Sequence, residues 1–433
     1  MPGSDESGRS TQPANVGGAR LIAACTIGNA LEFYDFLIFS FMATLIGRLF
    51  FPVSDPTSQL LLALATYGVG FFLRPIGGLV LGAYADKHGR RKATILTLML
   101  MALGTLAIGL APTYAQAGAV GPIIVVLGRL VQGFSAGGEV GASTTLLSEA
   151  APVERRGFFG SWQLASQGLG IVAASITAAL ILGKMTPEAA ESWGWRVPFL
   201  LGVLIVPVGL WLRSTIEETH ANIEHAETRN SNAAADIVGD HWRSLAAGVI
   251  MVIGGAAANT VVVLYMSTYA MRYLGMPPTT ALFAGLTAGF MTLVAAPIAG
   301  AVSDRIGRKA LPSAAYVALA FMIYPAFLAL NAVPTLLTLL VVVALMSTVN
   351  AVGAAPALVL LTETFPKNVR ATGFAVVYAL GVTVFGGFGQ FIVTWLIKVT
   401  DNPLAPAGYV IVCVLIALVA LQKMPERARK SLD

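Results

Sequence analysis

Two carboxylates interrupt the first apolar segment of the chain. Glu32 and Asp35 lie in the stretch GNALEFYDF, inside an apolar run that extends from Leu21 to Phe51. Residues three apart share one face of a helix. At about 1.5 Å per residue, both side chains fall near the middle of a hydrocarbon core of about 30 Å. An acid at that depth is costly unless it is paired, hydrated or protonated, and such residues normally mark an ion or proton path.

A positive charge for these acids is available in the fourth apolar run. Arg129 falls near the middle of that run, and Gln132 lies on the same helical face. An arginine side chain keeps its proton in proteins, whereas a carboxyl group can gain or lose one. We therefore predict a proton-coupling set of Asp35, Glu32 and Arg129, with Asp35 as the proton carrier because it lies nearer the outside. The alternative is a static ion network that holds the first and fourth spans together.

A second arginine, Arg74, precedes Pro75 in the second apolar run. Proline frees a backbone carbonyl and can kink a helix, so Arg74 is a candidate second anchor for a polyanion. The alternative is that its side chain reaches the cytoplasmic interface or forms an internal structural pair.

The other candidate ligand groups are neutral and polar, because the second half of the chain has almost no charge within its apolar runs. For each amide or phenol among them, the alternative role is a hydrogen bond between helices. One or two arginines with several amides suit a small organic anion, and suit a sugar or a bulky lipophilic cation poorly. The predicted substrate-binding residues are Arg129, Arg74, Asn29, Gln132, Gln163, Gln167, Asn259, Tyr265, Asn350, Tyr378 and Gln390.

The elements that must position these residues are apolar and long. The chain has 433 residues, of which 56% are hydrophobic and only 11% charged, where a soluble protein carries about 25% charged residues. This composition predicts a membrane protein, and twelve apolar runs long enough to span a bilayer predict an all-α fold of twelve transmembrane helices. We expect a disordered cytoplasmic N-terminus (1–20), a six-helix bundle (21–212), a cytoplasmic central loop (213–244), a second six-helix bundle (245–421) and a short cytoplasmic tail (422–433).

The basic residues predict the orientation of these spans. Most of the 27 Lys and Arg residues fall at the termini and in the even-numbered loops. The positive-inside rule places those segments, and hence both termini, in the cytoplasm. The predicted location is the cell (inner) membrane, crossed several times.

The two halves repeat one another. GAYADKHGRRK begins at Gly82, and GAVSDRIGRKA begins at Gly300. The pattern E-x-x-P-x-x-x-R occurs from Glu149 and again from Glu363. Two repeated motifs in matching loops indicate two pseudo-symmetric six-helix bundles, the parallel repeat of a carrier with its site between the halves.

These motifs carry a resemblance to a known family. The duplicated loop pattern resembles that of the major facilitator superfamily. Within the superfamily, LEFYDF, FLRPIGGLVLGAYADKHGRRK, GRLVQGFSAGGEVG and LRSTIEET resemble segments of the metabolite:proton symporter family, and most of all of its citrate and tricarballylate carriers. The resemblance implies a secondary active transporter that takes up a small organic acid with protons, by alternating access. It leaves open a dicarboxylate or oxoacid such as 2-oxoglutarate, or a zwitterionic osmolyte, as the substrate.

In that family, charges in the duplicated loops form a cytoplasmic latch. Here the implied pairs are Asp86–Arg90–Glu149 and Asp304–Arg308–Glu363, while Gly82 and Gly300 allow helices to approach closely. The implied gating residues are Gly82, Asp86, Arg90, Glu149, Gly300, Asp304, Arg308 and Glu363. The alternative, that these charges only set topology, is weak for the acids, because basic charge alone sets orientation.

Several other classes are disfavoured. The four histidines all fall in predicted cytoplasmic loops, and no metal-ligand spacing or catalytic triad reaches the midplane, so we expect neither an enzyme nor a metal site. There is no Walker motif for ATP. The expected partners are a small organic anion, protons and the lipid bilayer, without nucleic acid and with no cofactor besides the proton as coupling ion. The resemblance implies a functional monomer.

Overall fold

Apolar helices form nearly all of the described structure. The computed structural model describes residues 18–88, 90–137, 144, 147–204, 206–209, 242–366 and 370–426. Residues 1–17 of the predicted disordered N-terminus, most of the central loop and the end of the tail lie outside these residues, and residues 18–20 belong to the first helix.

The first half contains six helical units, α1 to α6, each following one of the predicted apolar runs. Their bounds are Gly18–Phe41 with Ala43–Phe50 (α1), Pro56–Phe72 with Arg74–His88 (α2), Arg90–Leu110 (α3), Val120–Ala136 (α4), Arg156–Lys184 (α5), and Pro187–Gly194 with Arg196–Gly202 (α6). The second half contains α7 to α12, with bounds Trp242–Arg272, Pro278–Ile306, Ala310–Ala332, Leu336–Thr364, Arg370–Thr400 (broken near Phe388) and Ala405–Lys423.

Within the described residues, eight of these units are long and apolar enough to cross a bilayer as single helices, and the bent units α1 and α6 raise the number to ten. The remaining two, α3 and α4, contain the shorter apolar helices Ile95–Leu110 and Val120–Ala136. Leucine, valine and phenylalanine side chains project outward from many of them, for example Phe321 and Leu337, as expected of a surface that faces lipid. The predicted all-α membrane fold is confirmed.

The two halves pack together mainly through α5 and α8. Small residues make this contact possible: a Cβ on Gly157 would lie 2.3 Å from the backbone oxygen of Gly300, and one on Gly300 would lie 2.3 Å from that of Gly157. The two backbones therefore touch where the second loop motif begins. Side chains larger than hydrogen would separate the halves at this point.

Three helices are irregular beside the interface between the halves. The two segments of α1 meet at an angle of 61° around Met42. Helices α7 and α11 each contain a π-helical turn, at Thr260–Tyr265 and at Thr383–Gly387. The Thr260 hydroxyl lies 3.3 Å from the Gly386 carbonyl oxygen and donates to it, so the two irregular turns contact one another. Such turns are frequent at functional sites.

Candidate functional site

Asp35 is the centre of a buried polar network between α1, α3 and α4. Its side chain is fully buried. Oδ2 accepts a hydrogen bond from the Thr105 hydroxyl at 2.5 Å and another from Gln132 Nε2 at 2.7 Å. The carboxyl is thus held by two neutral groups, one from α3 and one from α4.

Gln132 connects this carboxyl to Arg129. The Arg129 guanidinium donates to Gln132 Oε1 at 2.9 Å, and Gln132 Nε2 in turn donates to Asp35. Arg129 also lies within hydrogen-bond distance of two backbone oxygens, those of Phe36 and Tyr67. The acid and the arginine predicted to interact are therefore neighbours, and the amide of Gln132 bridges them.

Phe36 stands between the two predicted arginines. Its ring centroid lies 4.0 Å from the Arg129 guanidinium carbon and 4.4 Å from that of Arg74. Arg74 also stacks on Phe71 at 4.1 Å, and Arg129 lies 4.9 Å from the ring of Tyr67. Aromatic faces attract cations, and the attraction strengthens where water is excluded. The aromatic layer therefore holds two like charges close to one another.

Glu32 lies on the Arg74 side of this arrangement. It is 3% exposed and acts electrostatically on Arg74 and on Tyr378. The two acids of α1 therefore have different partners: Asp35 is linked to Arg129, and Glu32 to Arg74. Their separation by three residues places them on one face of α1, but at different depths.

A narrow cavity of about 100 Å³ lies between the two halves. Four of the predicted binding residues line it: Arg74, Gln167, Asn259 and Tyr378. The rest of the wall is mainly aromatic and aliphatic, with Phe36, Tyr67, Phe71 and Tyr316 among its members. Arg129 lies behind Phe36 instead of in this wall. In this conformation Arg74 is therefore the one of the two predicted arginines that lines the cavity.

Several predicted binding residues form hydrogen bonds between helices, which is the alternative role considered for them. Asn29 contacts the Gln163 amide at 3.2 Å and the Ser166 hydroxyl at 2.5 Å. Asn350 donates to Asn259 at 3.4 Å. The remaining two bonds are Thr394 to Tyr265 at 2.9 Å and Gln390 to Ser40 at 2.7 Å. The last of these joins α11 to α1, and so joins the two halves.

Charged residues close the face of the molecule on which the α2–α3 and α8–α9 loops lie, which we call the termini-side face. Arg308 donates to Asp304 Oδ1 at 2.8 Å and to Glu363 Oε1 at 3.1 Å. Asp304 accepts from the backbone N–H groups of Gly157 and Phe158 at 2.7 and 2.9 Å. The structure thus brings together the implied trio of the second half, and its aspartate reaches the first residues of α5 in the other half.

Glu149 makes a contact that the motif does not imply. It pairs with Arg370 of the second half at 2.7 Å, across the interface between the halves. Gly82 lies on α2, one turn before Asp86, but the side chains of Asp86 and Arg90 lie outside the described residues. Together, Asp304, Arg308, Glu363, Glu149 and Arg370 form what we call the termini-side latch.

An ion pair also joins the halves on the opposite face. Lys398 Nζ at the end of α11 donates to Asp55 Oδ2 at 2.6 Å and to Ser58 Oγ at 2.9 Å. Asp55 caps α2, since its carboxylate accepts from the N–H groups of Thr57 and Ser58. The hydrogen bonds from Lys398, Ser58 and Thr57 hold the pKa of the Asp55 carboxyl well below its usual range. We call Asp55, Ser58 and Lys398 the far-side latch.

Sequence reasoning missed several residues of these networks. Thr105 belongs to none of the motifs, Phe36 ends the LEFYDF motif but is apolar, and Lys398 and Asp55 look like ordinary loop charges. Arg370 was visible only as the last residue of the repeated E-x-x-P-x-x-x-R pattern. The available signal in the sequence is that the charges of both latches lie at the ends of apolar runs.

Comparisons with known proteins agree on one family. The model of the sugar (and other) transporter family matches residues 21–433. The citrate-proton symporter of Klebsiella pneumoniae is 37% identical over 412 residues, which cover 93% of this chain and 92% of that protein. The alpha-ketoglutarate permease of Escherichia coli is 34% identical over 86% of this chain and 85% of its own length. The proline/betaine transporter of Salmonella typhimurium is 31% identical over 95% and 84%.

Solved structures show the same fold. The xylose transporter XylE from E. coli, in a partially occluded inward-open conformation, superposes with a TM-score of 0.76 at 20% identity, covering 96% of this chain and 99% of the other. A second structure of XylE, described as a major facilitator superfamily proton:xylose symporter, gives a TM-score of 0.74 at 20% identity, covering 96% and 97%. The chain therefore belongs to the sugar (and other) transporter family, within the major facilitator superfamily that its motifs predict, and is a multi-pass membrane protein.

Proposed function

We propose that this protein is a proton-coupled symporter that takes up a small organic acid, citrate or a related tricarboxylate, by alternating access. The observation that carries the proposal is the buried Asp35–Gln132–Arg129 chain, which lies directly behind a cavity faced by Arg74. Asp35, which can gain or lose a proton, is thereby linked through the Gln132 amide, Arg129 and the Phe36 ring to Arg74, the cation that meets the substrate. The citrate-proton symporters among the relatives support the choice of substrate.

The proton enters from outside and neutralises Asp35. An ionised Asp35 partly compensates the charge of Arg129, since Gln132 bonds to both. Once Asp35 is neutral, the positive charge of Arg129 is less compensated. Its electrostatic field then adds to that of Arg74, which contacts the same Phe36 ring. In a cavity walled by apolar side chains, such charges act with little screening. Protonation therefore favours binding of an anion.

The anion binds mainly to Arg74. A guanidinium offers several donors in a planar fork that matches a carboxylate. Gln167, Asn259 and Tyr378, which also line the cavity, hold the remaining carboxylate or hydroxyl groups. The cavity of about 100 Å³ is small compared with the ~300–1,000 Å³ of typical ligand sites, so entry of the substrate requires the halves to separate on one side.

Alternating access then uses the two latches in turn. The protein lies in the inner membrane with both termini in the cytoplasm. In this orientation the far-side latch closes the outer entrance, and the termini-side latch closes the inner exit. The described conformation has both latches formed. Binding of the proton and the substrate from outside does not by itself open either latch. It allows the far-side latch to form again and the termini-side latch to break. Proton and anion leave together inside.

A dicarboxylate or oxoacid is the second candidate substrate. The alpha-ketoglutarate permease is a relative of similar identity, and the cavity presents a single arginine among its lining residues, which suits fewer carboxylates. A zwitterionic osmolyte, as carried by the proline/betaine relatives, is favoured less, because an arginine repels its cationic group.

The deciding experiment is uptake by purified protein in proteoliposomes with an imposed inward proton gradient. A panel of tricarboxylates, dicarboxylates, oxoacids and betaines identifies the substrate. We expect citrate or a close analogue to accumulate only with the gradient, and Asp35→Asn to abolish accumulation while retaining exchange of labelled for unlabelled substrate. Glu32→Gln and Arg129→Gln distinguish the proton carrier from its partners. Wild-type uptake that ignores the pH gradient would refute proton coupling.

A further inference from the structure

Thr105 has one hydroxyl hydrogen and two acceptors within reach. Its Oγ1 lies 2.5 Å from Asp35 Oδ2 and 2.8 Å from the carbonyl oxygen of Met101, one turn earlier on α3. Gln132 Nε2 donates toward both Asp35 Oδ2 and Thr105 Oγ1, at 2.7 and 3.0 Å. A hydroxyl group donates once and accepts up to twice. Both short contacts of Thr105 are therefore satisfied only if Asp35 itself can supply a hydrogen.

Two hydrogen arrangements fit the same heavy atoms. When Asp35 is ionised, the Thr105 hydroxyl points to Oδ2. When Asp35 is protonated on Oδ2, the acid donates to Thr105 Oγ1, and the hydroxyl hydrogen turns to the Met101 carbonyl. The carboxyl gains one proton from water and its charge falls to zero, without movement of the side chains.

The other oxygen of Asp35 lies against a bare backbone. Oδ1 is buried and has no hydrogen-bond partner within the described residues. A Cβ on Gly202 of α6 would lie 2.6 Å from it. The glycine thus leaves just enough space for the carboxyl, and among the described residues the hydrogen bonds to the Asp35 side chain come from Thr105 and Gln132.

The charged and titratable groups around Asp35 come from few directions. Arg129 acts on it from α4, and Tyr34 and Glu32 lie on its own helix. Thr105 from α3 and Gly202 from α6 contribute no charge. Thr105 and Gln132 are the uncharged side chains that bond the carboxyl, and of these two the Thr105 hydroxyl can change from donor to acceptor when Asp35 gains a proton, whereas the Gln132 amide nitrogen can only donate.

We propose that Thr105 is a positioning residue of the proton site: its hydroxyl holds the Asp35 carboxyl in one place in both protonation states and helps to set the pH at which the site fills. This inference rests on the proposed function, because it concerns the coupling of that same site. Gly202 lies beside both groups, since a Cβ there would lie 2.6 Å from Asp35 Oδ1 and 3.1 Å from Thr105 Cγ2.

The test replaces the hydroxyl by a methyl group. Thr105→Val keeps the shape of the side chain but removes the donor to the carboxylate. Hydrogen bonds to charged groups favour the charged form, so uptake by this variant should reach half of its maximum at a more alkaline outside pH, by about 1 to 2 pH units. Thr105→Ser keeps the hydroxyl and should retain the wild-type midpoint.

Thr292→Val is the matched control. Thr292 on α8 is equally buried and bonds the Ala288 carbonyl one turn earlier at 2.8 Å, as Thr105 bonds Met101, but no carboxylate lies among its bonds. It should leave the midpoint unchanged. In the Asp35→Asn background, adding Thr105→Val should not alter the rate of substrate exchange at any pH.

The outcomes separate this inference from the proposed function. Wild-type uptake that is indifferent to pH would overturn proton coupling and the role of Thr105 with it. A coupled wild type together with an unchanged midpoint in Thr105→Val would overturn the role of Thr105 alone. If Thr105→Val does not fold, Gly202→Ala serves instead, because its methyl group would contact both Asp35 Oδ1 and Thr105 Cγ2 and so change the position of the carboxyl relative to the Thr105 hydroxyl. A shifted midpoint supports the inference, and a wild-type midpoint in a folded variant refutes it.

Discussion

Lys398 and Asp55 meet across the two halves of the protein, 2.6 Å apart, on the face opposite the termini-side latch. Their side chains remain 41% and 44% exposed, and an exposed ion pair contributes little to the stability of a folded protein. A carrier, however, exists in states that differ by only a few kcal/mol. A weak bond that exists in some of these states and not in others is enough to shift the balance between them.

If this contact must break for the substrate to enter, a covalent bond in its place should stop transport. We expect oxidation of the Asp55→Cys/Lys398→Cys variant to block uptake and a reductant to restore it. The native cysteines do not interfere at this face. Cys25 lies near the start of α1, far along the helix from this face, and Cys413 is buried on α12. The measurement is uptake before and after oxidation, with the disulfide verified by mass spectrometry.

A control pair exists on the same side of the molecule. Arg48 and Glu191 form an ion pair 3.2 Å long, but both belong to the first half. A disulfide at Arg48→Cys/Glu191→Cys should therefore leave uptake near the wild-type rate. Full activity of the oxidised 55–398 variant would show that the far-side latch does not open during transport.

The far-side latch should not be the source of the pH dependence. The pKa of Asp55 is depressed by its bonds to Lys398, Ser58 and Thr57, so the stabilisation it provides is present above the ordinary carboxyl pKa of about 3.9. That stabilisation is lost only as the pH falls through the lower folded value. Across the pH range of uptake assays, Asp55 stays charged.

Asp55→Asn consequently has a specific expected result. The apparent affinity for substrate from outside should change by a few-fold at most, while the midpoint of the pH profile should equal that of the wild type. Uptake measured from pH 5 to 8 provides the comparison. A displaced midpoint would assign part of the coupling to Asp55.

The sequence predicts the centre of the site better than its surroundings. Asp35 and Arg129 could be paired in advance, because an acid and an arginine at similar depth in a membrane must each find a partner. Asp304, Arg308 and Glu363 could be grouped because a repeated motif places them in neighbouring loops. In each case the unfavourable energy of a buried charge restricts the possible partners.

Neutral contacts and the interface between the halves were not accessible in the same way. Many threonines occur in the apolar runs, and only the crossing of α1 and α3 selects Thr105. The pairing of Glu149 with Arg370 depends on how one half docks against the other, whereas the repeat suggests partners within a half. The burial of Arg129 behind Phe36 follows from rotamers and helix rotation, which periodicity does not determine.

Arg74 should carry most of the affinity for the anion. Charge-assisted hydrogen bonds contribute about 1.5–3 kcal/mol, so Arg74→Gln should raise KM by about 10- to 150-fold. Arg74→Lys keeps the charge but loses the planar contacts with Phe36 and Phe71, and we expect an intermediate KM. The measurement is the initial rate of uptake over a range of substrate concentrations, at one outside pH.

A comparison of anions adds a second criterion for Arg74. The loss should be larger for a trianion than for a monoanion of similar size, because more negative charge meets the missing cation. Arg196→Gln is a suitable control, since Arg196 is also stacked on an aromatic ring, that of Trp195, but lies at the start of the second segment of α6 away from the cavity lining. Equal effects of both substitutions on KM would refute a binding role for Arg74.

The bond between Arg370 and Glu149 should control the exit on the termini side. Arg370 is 1% exposed at its side chain, and its Nη1 lies 2.7 Å from Glu149 Oε1. The Glu149 side chain is 33% exposed, but loss of its charge removes the ion-pair partner of the buried Arg370 guanidinium, which is costly. Glu149→Gln should therefore weaken closure of this side and shift the protein toward the state open to the termini side. Arg370→Glu alone should lower the rate of uptake, since it places two acids together, and Arg370→Glu with Glu149→Arg should recover part of that rate.

Alkylation of a cysteine introduced at Gln167, in the cavity wall, by a reagent added from the termini side reports the opening directly. Glu149→Gln should speed that alkylation, and the exchanged pair should slow it again. If the single and the double variants are alkylated at the same rate as the parent, the two residues are a surface pair without a gating role.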